Sequence, residues 1–288
     1  MTLLHFTENC HVDGFFLQNL QDTDAAALAA FVAKELKRRH PDLTFLYQGE
    51  RFDGDDAFDF VSDGVKENEL TRYLACDPFF RRYHHKSLAF GKTNLLCEQD
   101  NTSRTLMSGF FGSYEEKFAT MRLYHVLRLF YPSALVFRMG NELAPFAPQK
   151  KDRELEWFLL DFSMHRRYFQ FVKAANTLYL ENEALYAGAC RIVYENETDN
   201  VLVIQRQLAD KTFLGVFNFS AVLLSDYPLP LSSDCREIFS SDGLDFGGSG
   251  QENTRKNLRT DNGIVLDIPP LSAVILKGLS QPTDSNIM

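Results

Sequence analysis

A change of texture near Gly188 constrains this chain more than any other feature. Before it, short apolar runs alternate with helical stretches; after it, short strand-like runs follow one another between turns. Alternating strands and helices predict βαβ units around a parallel sheet. A series of short strands predicts a small antiparallel sandwich. The expected architecture is therefore α/β over 1–188 and all-β over 189–280, with a frayed tail at 281–288.

Within the first part, Val12–Leu20 is a short apolar run opened by His11-Val12-Asp13-Gly14. Ala25–Arg39 reads as a helix, with Asp22 or Asp24 as N-cap and Pro41 closing it. Leu43–Tyr47 and Ala134–Met139 read as buried strands, the latter ended by Gly140-Asn141. Phe118, Met121, Leu123, Val126 and Leu129 recur at near-helical spacing and predict an amphipathic helix over Tyr114–Phe130. A further long helix is expected over His165–Glu183. In the second part the strand candidates are Arg191–Tyr194, Val201–Gln207, Thr212–Phe219, Ile264–Asp267 and Ser272–Leu276. Turns are expected at Asp199-Asn200, Asp210-Lys211, Asp242-Gly243, Gly247–Gly250 and Asn262-Gly263.

Composition narrows the function. Hydrophobic residues at 45% against 24% charged supply a real core and exclude wholesale disorder. The formal charge of -9 opposes a general nucleic-acid or anionic-membrane surface. No apolar run reaches the roughly 18 residues of a membrane span. Met1–Glu8 has neither a basic nor an apolar signal region, so a cytoplasmic protein is expected. The 5 cysteines are irregularly spaced without a Cys-x-x-Cys pair, and read as reduced thiols rather than a zinc or redox site.

Isolated motifs carry little chemistry. Gly247-Gly248-Ser249-Gly250 is glycine-rich, yet no Lys-Ser/Thr or helix follows to complete a phosphate loop, so a β-turn is expected. His84 and His85 are adjacent and point apart on a helix or strand, with no third ligand at useful spacing. No metal and no cofactor is expected. Cys97 with a distant histidine has no local support as a nucleophile–base pair.

The segments Asp77–Lys86, Glu116–Arg122, Phe137–Glu142, Glu156–Arg166, Val216–Ser220, Phe246–Gly250 and Ile268–Ala273, in order along nearly the whole chain, together resemble the bacterial 1,4-α-glucan branching enzymes of the α-amylase clan. Asp77-Pro78-Phe79-Phe80-Arg81-Arg82-Tyr83-His84-His85-Lys86 is similar to that family's Asp-Pro-x-Tyr-Arg-x-Tyr-His-His. Glu116–Arg122 resembles its Gln-Lys-Phe-Ala-Asn-Leu-Arg, and Phe137–Glu142 its Phe-Met-Gly-Asn-Glu. Glu156–Arg166 resembles its Asp-Trp-His-Leu-Leu-Asp-Tyr-x-x-His-Arg. Val216–Ser220, Phe246–Gly250 and Ile268–Ala273 are similar to its C-terminal β domain. The resemblance implies part of a (β/α)₈ TIM barrel, from about strand four to strand eight, followed by that domain. Residues 1–188 are fewer than the roughly 250 of a complete barrel, so strands one to three are expected to be missing. The exposed edges this leaves would need a cover.

The same resemblance locates the chemistry. Branching with retention needs a carboxylate nucleophile and a carboxylic acid about 5–5.5 Å apart, and the family adds a third carboxylate. The family nucleophile ends Asp-Gly-Leu-Arg-Val-Asp; here Asp13–Gln18 puts Gln18 at that place and Phe16 at the arginine. The family acid lies in Leu-Thr-Ile-Ala-Glu-Glu; here Leu43–Gln48 puts Tyr47 there, with Glu50 as a substitute only if the register slips. The third carboxylate belongs to Ser-His-Asp-Glu, and Leu95–Glu98 puts Cys97 at the aspartate, after a shortening upstream.

Retained positions include Trp157, Asp161, His165, Arg166, Gly140, Asn141 and Glu142. Trp157, Glu142 and Asn141 are candidates for substrate binding. A scaffold role for Glu142, and packing between barrel and β domain for Trp157, are the alternatives. The expected function is a truncated, catalytically degenerate branching-enzyme homologue of glycogen or α-glucan metabolism, a pseudoenzyme. A non-catalytic α-glucan-binding or partner-binding protein is the second reading. The third is one half of a two-chain enzyme whose partner supplies the missing strands.

Overall fold

The structure, a computed structural model, describes residues 2–18, 20, 23–50, 52–91, 93–98, 104–148, 154–231, 234–253, 258–260 and 263–279. The tail expected at 281–288, Asn262 of the Asn262-Gly263 turn and the Asp22 cap lie outside the described residues. The chain divides into two compact units that interleave along the sequence: Met1–Glu69, Phe90–Gln99 and Ser133–Arg138 form the first, and Leu70–Ala89, Asp100–Pro132 and Met139–Met288 the second.

The first unit is built from helices α1 (Thr2–Cys10) and α2 (Thr23–Arg39) and strands β1 (Gly14–Gln18), β2 (Thr44–Gln48), β3 (Phe60–Ser62), β4 (Leu95–Cys97) and β5 (Ala134–Val136). β1, β2 and β3 are parallel neighbours, and β4 pairs in parallel with β5. Side chains bridge β3 and β4. Val61 N donates to Asn94 Oδ1 at 2.7 Å, Asn94 Nδ2 to the Asp59 carbonyl at 2.9 Å and Thr93 Oγ1 to the Val61 carbonyl at 2.7 Å.

Helix α2 carries Asp24 in its first turn and Lys37, Arg38 and Arg39 in its last, charges that complement its dipole. Its small residues Ala30 and Ala33 are buried with Leu36 against Phe45, Tyr47 and Val61 of the sheet. Gly14 is required by proximity: a Cβ there would lie 2.1 Å from the Thr44 carbonyl oxygen of β2. The strand expected over Ala134–Met139 ends at Val136, and its three residues are half-buried rather than buried.

The second unit contains α3 (Val65–Ala75) from Leu70 onward, α4 (Leu106–Gly109), α5 (Tyr114–Phe130), α6 (Ser163–Glu181) and α7 (Glu183–Tyr186). Its strands are β6 (Ala189–Asn196), β7 (Val201–Leu208), β8 (Lys211–Asn218), β9 (Leu224–Leu229), β10 (Cys235–Ser240), β11 (Arg259–Thr260), β12 (Gly263–Ile268) and β13 (Ser272–Gly278). They form two antiparallel sheets, ordered β10-β13-β8-β7-β6 and β11-β12-β9. One core joins them, with Val203, Val216 and Val274 from the larger sheet and Tyr227, Ile264 and Leu266 from the smaller.

Helix α5 departs from the amphipathic expectation. It opens on a reciprocal cap, Ser113 with Glu116, and is then buried on every side from Thr120 to Phe130. It packs on β8, β13 and α6, and a Cβ at Gly215 would come within 2.9 Å of the Phe130 ring. Polar residues on a fully buried helix need partners. Arg122 finds them in the Ser241 and Phe246 carbonyls, at 2.7 and 3.1 Å. Burial still pushes its pKa down to about 10.

Candidate functional site

Among parallel strands the carboxyl ends carry the chemistry, so the ends of β1, β2 and β4 decide what the first unit can do. The ladder sets Leu17 opposite Tyr47 and Gln18 opposite Gln48. Phe15 and Leu17 pack with the α2-facing core, and so do Phe45 and Tyr47. Side chains alternate across a strand, so Phe16, Gln18, Leu46 and Gln48 share the other face. There Gln18 Nε2 donates to Gln48 Oε1 at 2.9 Å. The neighbour of Gln18 is thus Gln48, a residue that sequence reasoning passed over in favour of Tyr47.

Tyr47 is 1% exposed and belongs to the core. Its ring stacks on Phe58 at 4.9 Å and meets Phe52 edge-on at 5.6 Å. Its hydroxyl donates to the Glu50 carbonyl at 3.2 Å. Burial, with the Asp55 and Glu50 charges adding to it, raises its pKa above the ordinary tyrosine value. A phenol held in this way is a packing group and a poor proton donor. Glu50 is exposed beyond the strand end, reached from Tyr47 only through its backbone.

Cys97 closes β4, opposite Val136, and is 1% exposed. It is one of five free thiols. The carboxylate that follows it, Glu98, accepts the Arg138 N–H at 2.8 Å. Among the described residues no group of three or more His, Cys, Asp or Glu side chains is placed to hold a metal.

The other candidates lie in the second unit. Asn141 and Glu142 open a short 3₁₀ turn and are half-buried. Glu142 Oε2 accepts the Gly140 N–H at 2.7 Å, and Gly140 takes φ 98, a left-handed conformation natural to glycine. His165 Nδ1 donates to the Leu143 carbonyl at 2.7 Å, tying that turn to α6. Glu142 therefore has a local scaffold role in full view. Trp157 is different. It starts another 3₁₀ turn, Trp157–Asp161, and is 54% exposed. Arg166 holds that turn by donating to the Leu160 and Asp161 carbonyls at 2.9 and 3.1 Å.

The remaining motifs resolve as structure. His85 is buried against Glu195, its Nδ1 2.8 Å from Oε1, whereas His84 is exposed, so the pair does point apart. The Gly247–Gly250 segment wraps the Asp242 carboxylate, which accepts the Ser249 N–H at 3.0 Å and the Ser249 hydroxyl at 2.5 Å. Asn218 is buried and donates to the Val222, Ile268 and Pro269 carbonyls, closing the end of β8.

Residues 192–278 match the family model described as "Alpha amylase, C-terminal all-beta domain". The 1,4-alpha-glucan branching enzyme GlgB of Francisella tularensis subsp. mediasiatica is 28% identical over 248 residues, a match covering 76% of this chain and 39% of that protein. The GlgB of Mesorhizobium japonicum is 30% identical over 234 residues, covering 73% of this chain and 32% of that protein. The chain is a relative of the C-terminal part of the 1,4-α-glucan branching enzymes.

It spans 32–39% of the length of these branching enzymes. Among solved structures, the alpha-amylase of Geobacillus thermoleovorans complexed with acarbose superposes with a TM-score of 0.67 at 17% identity, over 96% of this chain and 62% of that one. AmyP in complex with maltose gives 0.66 at 12% identity, over 98% and 67%. These likenesses establish an α-amylase-like fold with an all-β C-terminal domain. Among the described residues no helix is long and apolar enough to cross a membrane.

Proposed function

We propose that the chain is a catalytically degenerate branching-enzyme homologue that keeps affinity for α-glucan. In this reading the parallel strands are strands four to eight of a (β/α)₈ barrel over 1–188, and 189–280 is the C-terminal domain. The observation that carries it is the Gln18–Gln48 amide pair at 2.9 Å, at the ends of the two strands on which the resemblance puts the nucleophile at Gln18 and the acid at Tyr47, next to Gln48. A carboxamide neither forms a stable glycosyl ester nor delivers a proton to a leaving oxygen. The conclusion holds in either frame, since Tyr47 in place of Gln48 is buried and phenolic.

Cys97 and Glu98 supply no replacement, one being buried and the other occupied by a backbone amide. A general acid alone is worth about 10²–10⁴-fold, roughly 3–5 kcal/mol of barrier. Losing it together with the nucleophile leaves no useful turnover. A second chain completing the sheet would not restore either group, which counts against the two-chain reading. The exposed Trp157 favours retained binding, because an indole face is a good platform for the C–H face of a sugar.

Two measurements test this reading. Incubation of the purified chain with linear α-1,4-glucan, free of host enzyme, is expected to yield no new α-1,6 branch points; their formation refutes the loss of activity. Native electrophoresis through a glycogen-containing gel is expected to retard the chain, and migration unchanged by glycogen refutes retained binding.

A further inference from the structure

Phe79, Phe80 and Tyr83 stand out of the second unit with 59%, 53% and 70% of their surfaces exposed. Their turn opens the 3₁₀ helix Arg81–Leu88 and is locked from beneath. Arg81, fully buried, donates to the Cys76, Phe219 and Leu74 carbonyls at 3.1, 2.9 and 2.8 Å. Buried Asn200 donates to the Pro78 carbonyl at 3.1 Å, and the Phe79 N–H to Asp77 Oδ1 at 2.9 Å. With the backbone held at so many points, the exposed rings are a fixed feature of the surface.

The rings come with donors. The Arg82 guanidinium lies 4.3 Å over the Phe79 ring, and its Nε donates to the Phe79 carbonyl at 3.0 Å. His84 and Lys86 are exposed on the same short helix. Phe79 and Phe80 meet edge to face, 5.2 Å apart and turned by 89°.

We propose that this turn is a second α-glucan platform, separate from the Trp157 turn. A glucose unit offers an apolar C–H face and a rim of hydroxyl oxygens, which complement aromatic rings edged by cationic donors. Two ring faces turned through a right angle suit a ligand that bends between sugars, as an α-1,4-linked chain does. A turn already ordered before binding loses little entropy on contact. The inference rests on the α-glucan reading above, and its test separates the two.

Three chains are compared on glycogen-containing native gels and by titration with maltoheptaose: wild type, Phe79→Ala/Phe80→Ala and Trp157→Ala. Thermal melting of each checks that it remains folded. The double variant should bind roughly tenfold more weakly, the loss of about 1.4 kcal/mol. Phe80→Tyr, which keeps a ring face, should bind like wild type, and Tyr83→Ala should weaken binding on its own. Undiminished binding by a folded double variant, with loss in Trp157→Ala, overturns the platform and leaves the α-glucan reading intact. Absence of any binding by wild type overturns both.

Discussion

Acidification should destabilise the protein through His125, and the size of the effect follows from where that ring sits. His125 is on the fully buried stretch of α5, 4% exposed, with Nε2 donating to Asn176 Oδ1 at 2.9 Å and Phe171 packed edge-on at 5.8 Å. Burial pushes its pKa down to about 4; the Asn176 hydrogen bond opposes the shift and the Arg128 charge adds to it. In the unfolded chain the same group titrates near 6.5. The folded pKa is the lower one, so between about 6.5 and 4 the unfolded state binds the proton and the folded state does not. Stability is therefore undiminished by this group above about 6.5. It falls with pH through that window, and the full loss, roughly 3 kcal/mol, is reached below about 4. At about pH 5 the loss is roughly 2 kcal/mol, a sizeable part of the 5–15 kcal/mol typical of a folded protein. Urea unfolding at about pH 7.5 and 5, for wild type and His125→Gln, isolates it. The glutamine can still donate to Asn176 and does not titrate, and the carboxylates contribute alike to both chains. Wild type should lose about 2 kcal/mol more than the variant over this range. An equal loss in both would refute the assignment of a buried, neutral imidazole.

Substitutions at two further positions probe the same physics elsewhere. Arg81→Met strips three carbonyls of their donor, two of those bonds being fully buried, and should cost about 3–5 kcal/mol in unfolding free energy, whereas Arg81→Lys, unable to span all three acceptors, should recover only part of it. A shift in urea midpoint equivalent to less than about 1 kcal/mol for Arg81→Met would show that the three bonds contribute little. Tyr47→Phe should cost only about 1 kcal/mol, the worth of its bond to the Glu50 carbonyl, and leave glucan retention unchanged. A loss of retention in the folded variant would mean that Tyr47 reaches the ligand.

Much of the local structure was legible because it depends on neighbours in the chain. Helix α2 is announced by its alanines and Pro41, and runs Thr23–Arg39; the α5 expectation over Tyr114–Phe130 agrees with the helix at both ends. The helix expected over His165–Glu183 is instead α6, ending at Glu181, followed after Asn182 by the short α7. Every strand proposed after Gly188 overlaps one of β6, β7, β8, β12 or β13. The strands that were missed have physical reasons of two kinds. β9 contains Pro228, which lacks an N–H and is tolerated because β9 is the edge of its sheet, and an edge position is not a property of a hexapeptide. β3 and β4 are three residues long, too short for a period to show.

The amino-acid sequence by itself determined the order of elements, the change from α/β to all-β, the family likeness and the absence of carboxylates at Gln18 and Tyr47. Those are matters of residue identity and short-range pattern. Only the tertiary structure decided which side chains meet. It set Gln18 beside Gln48, because the register between two parallel strands is fixed by packing across the sheet, and a shift of one residue exchanges the faces. It buried α5 on all sides by closing β8, β13 and α6 around it, turning an apparent polar face into Arg122 and His125 with interior partners. It also separated the residues of the motif segments by role: Arg81 and His165 hold turns from within, while Trp157, Phe79 and Phe80 are left facing outward. Burial and exposure arise from contacts between segments distant in sequence, and no local pattern encodes them.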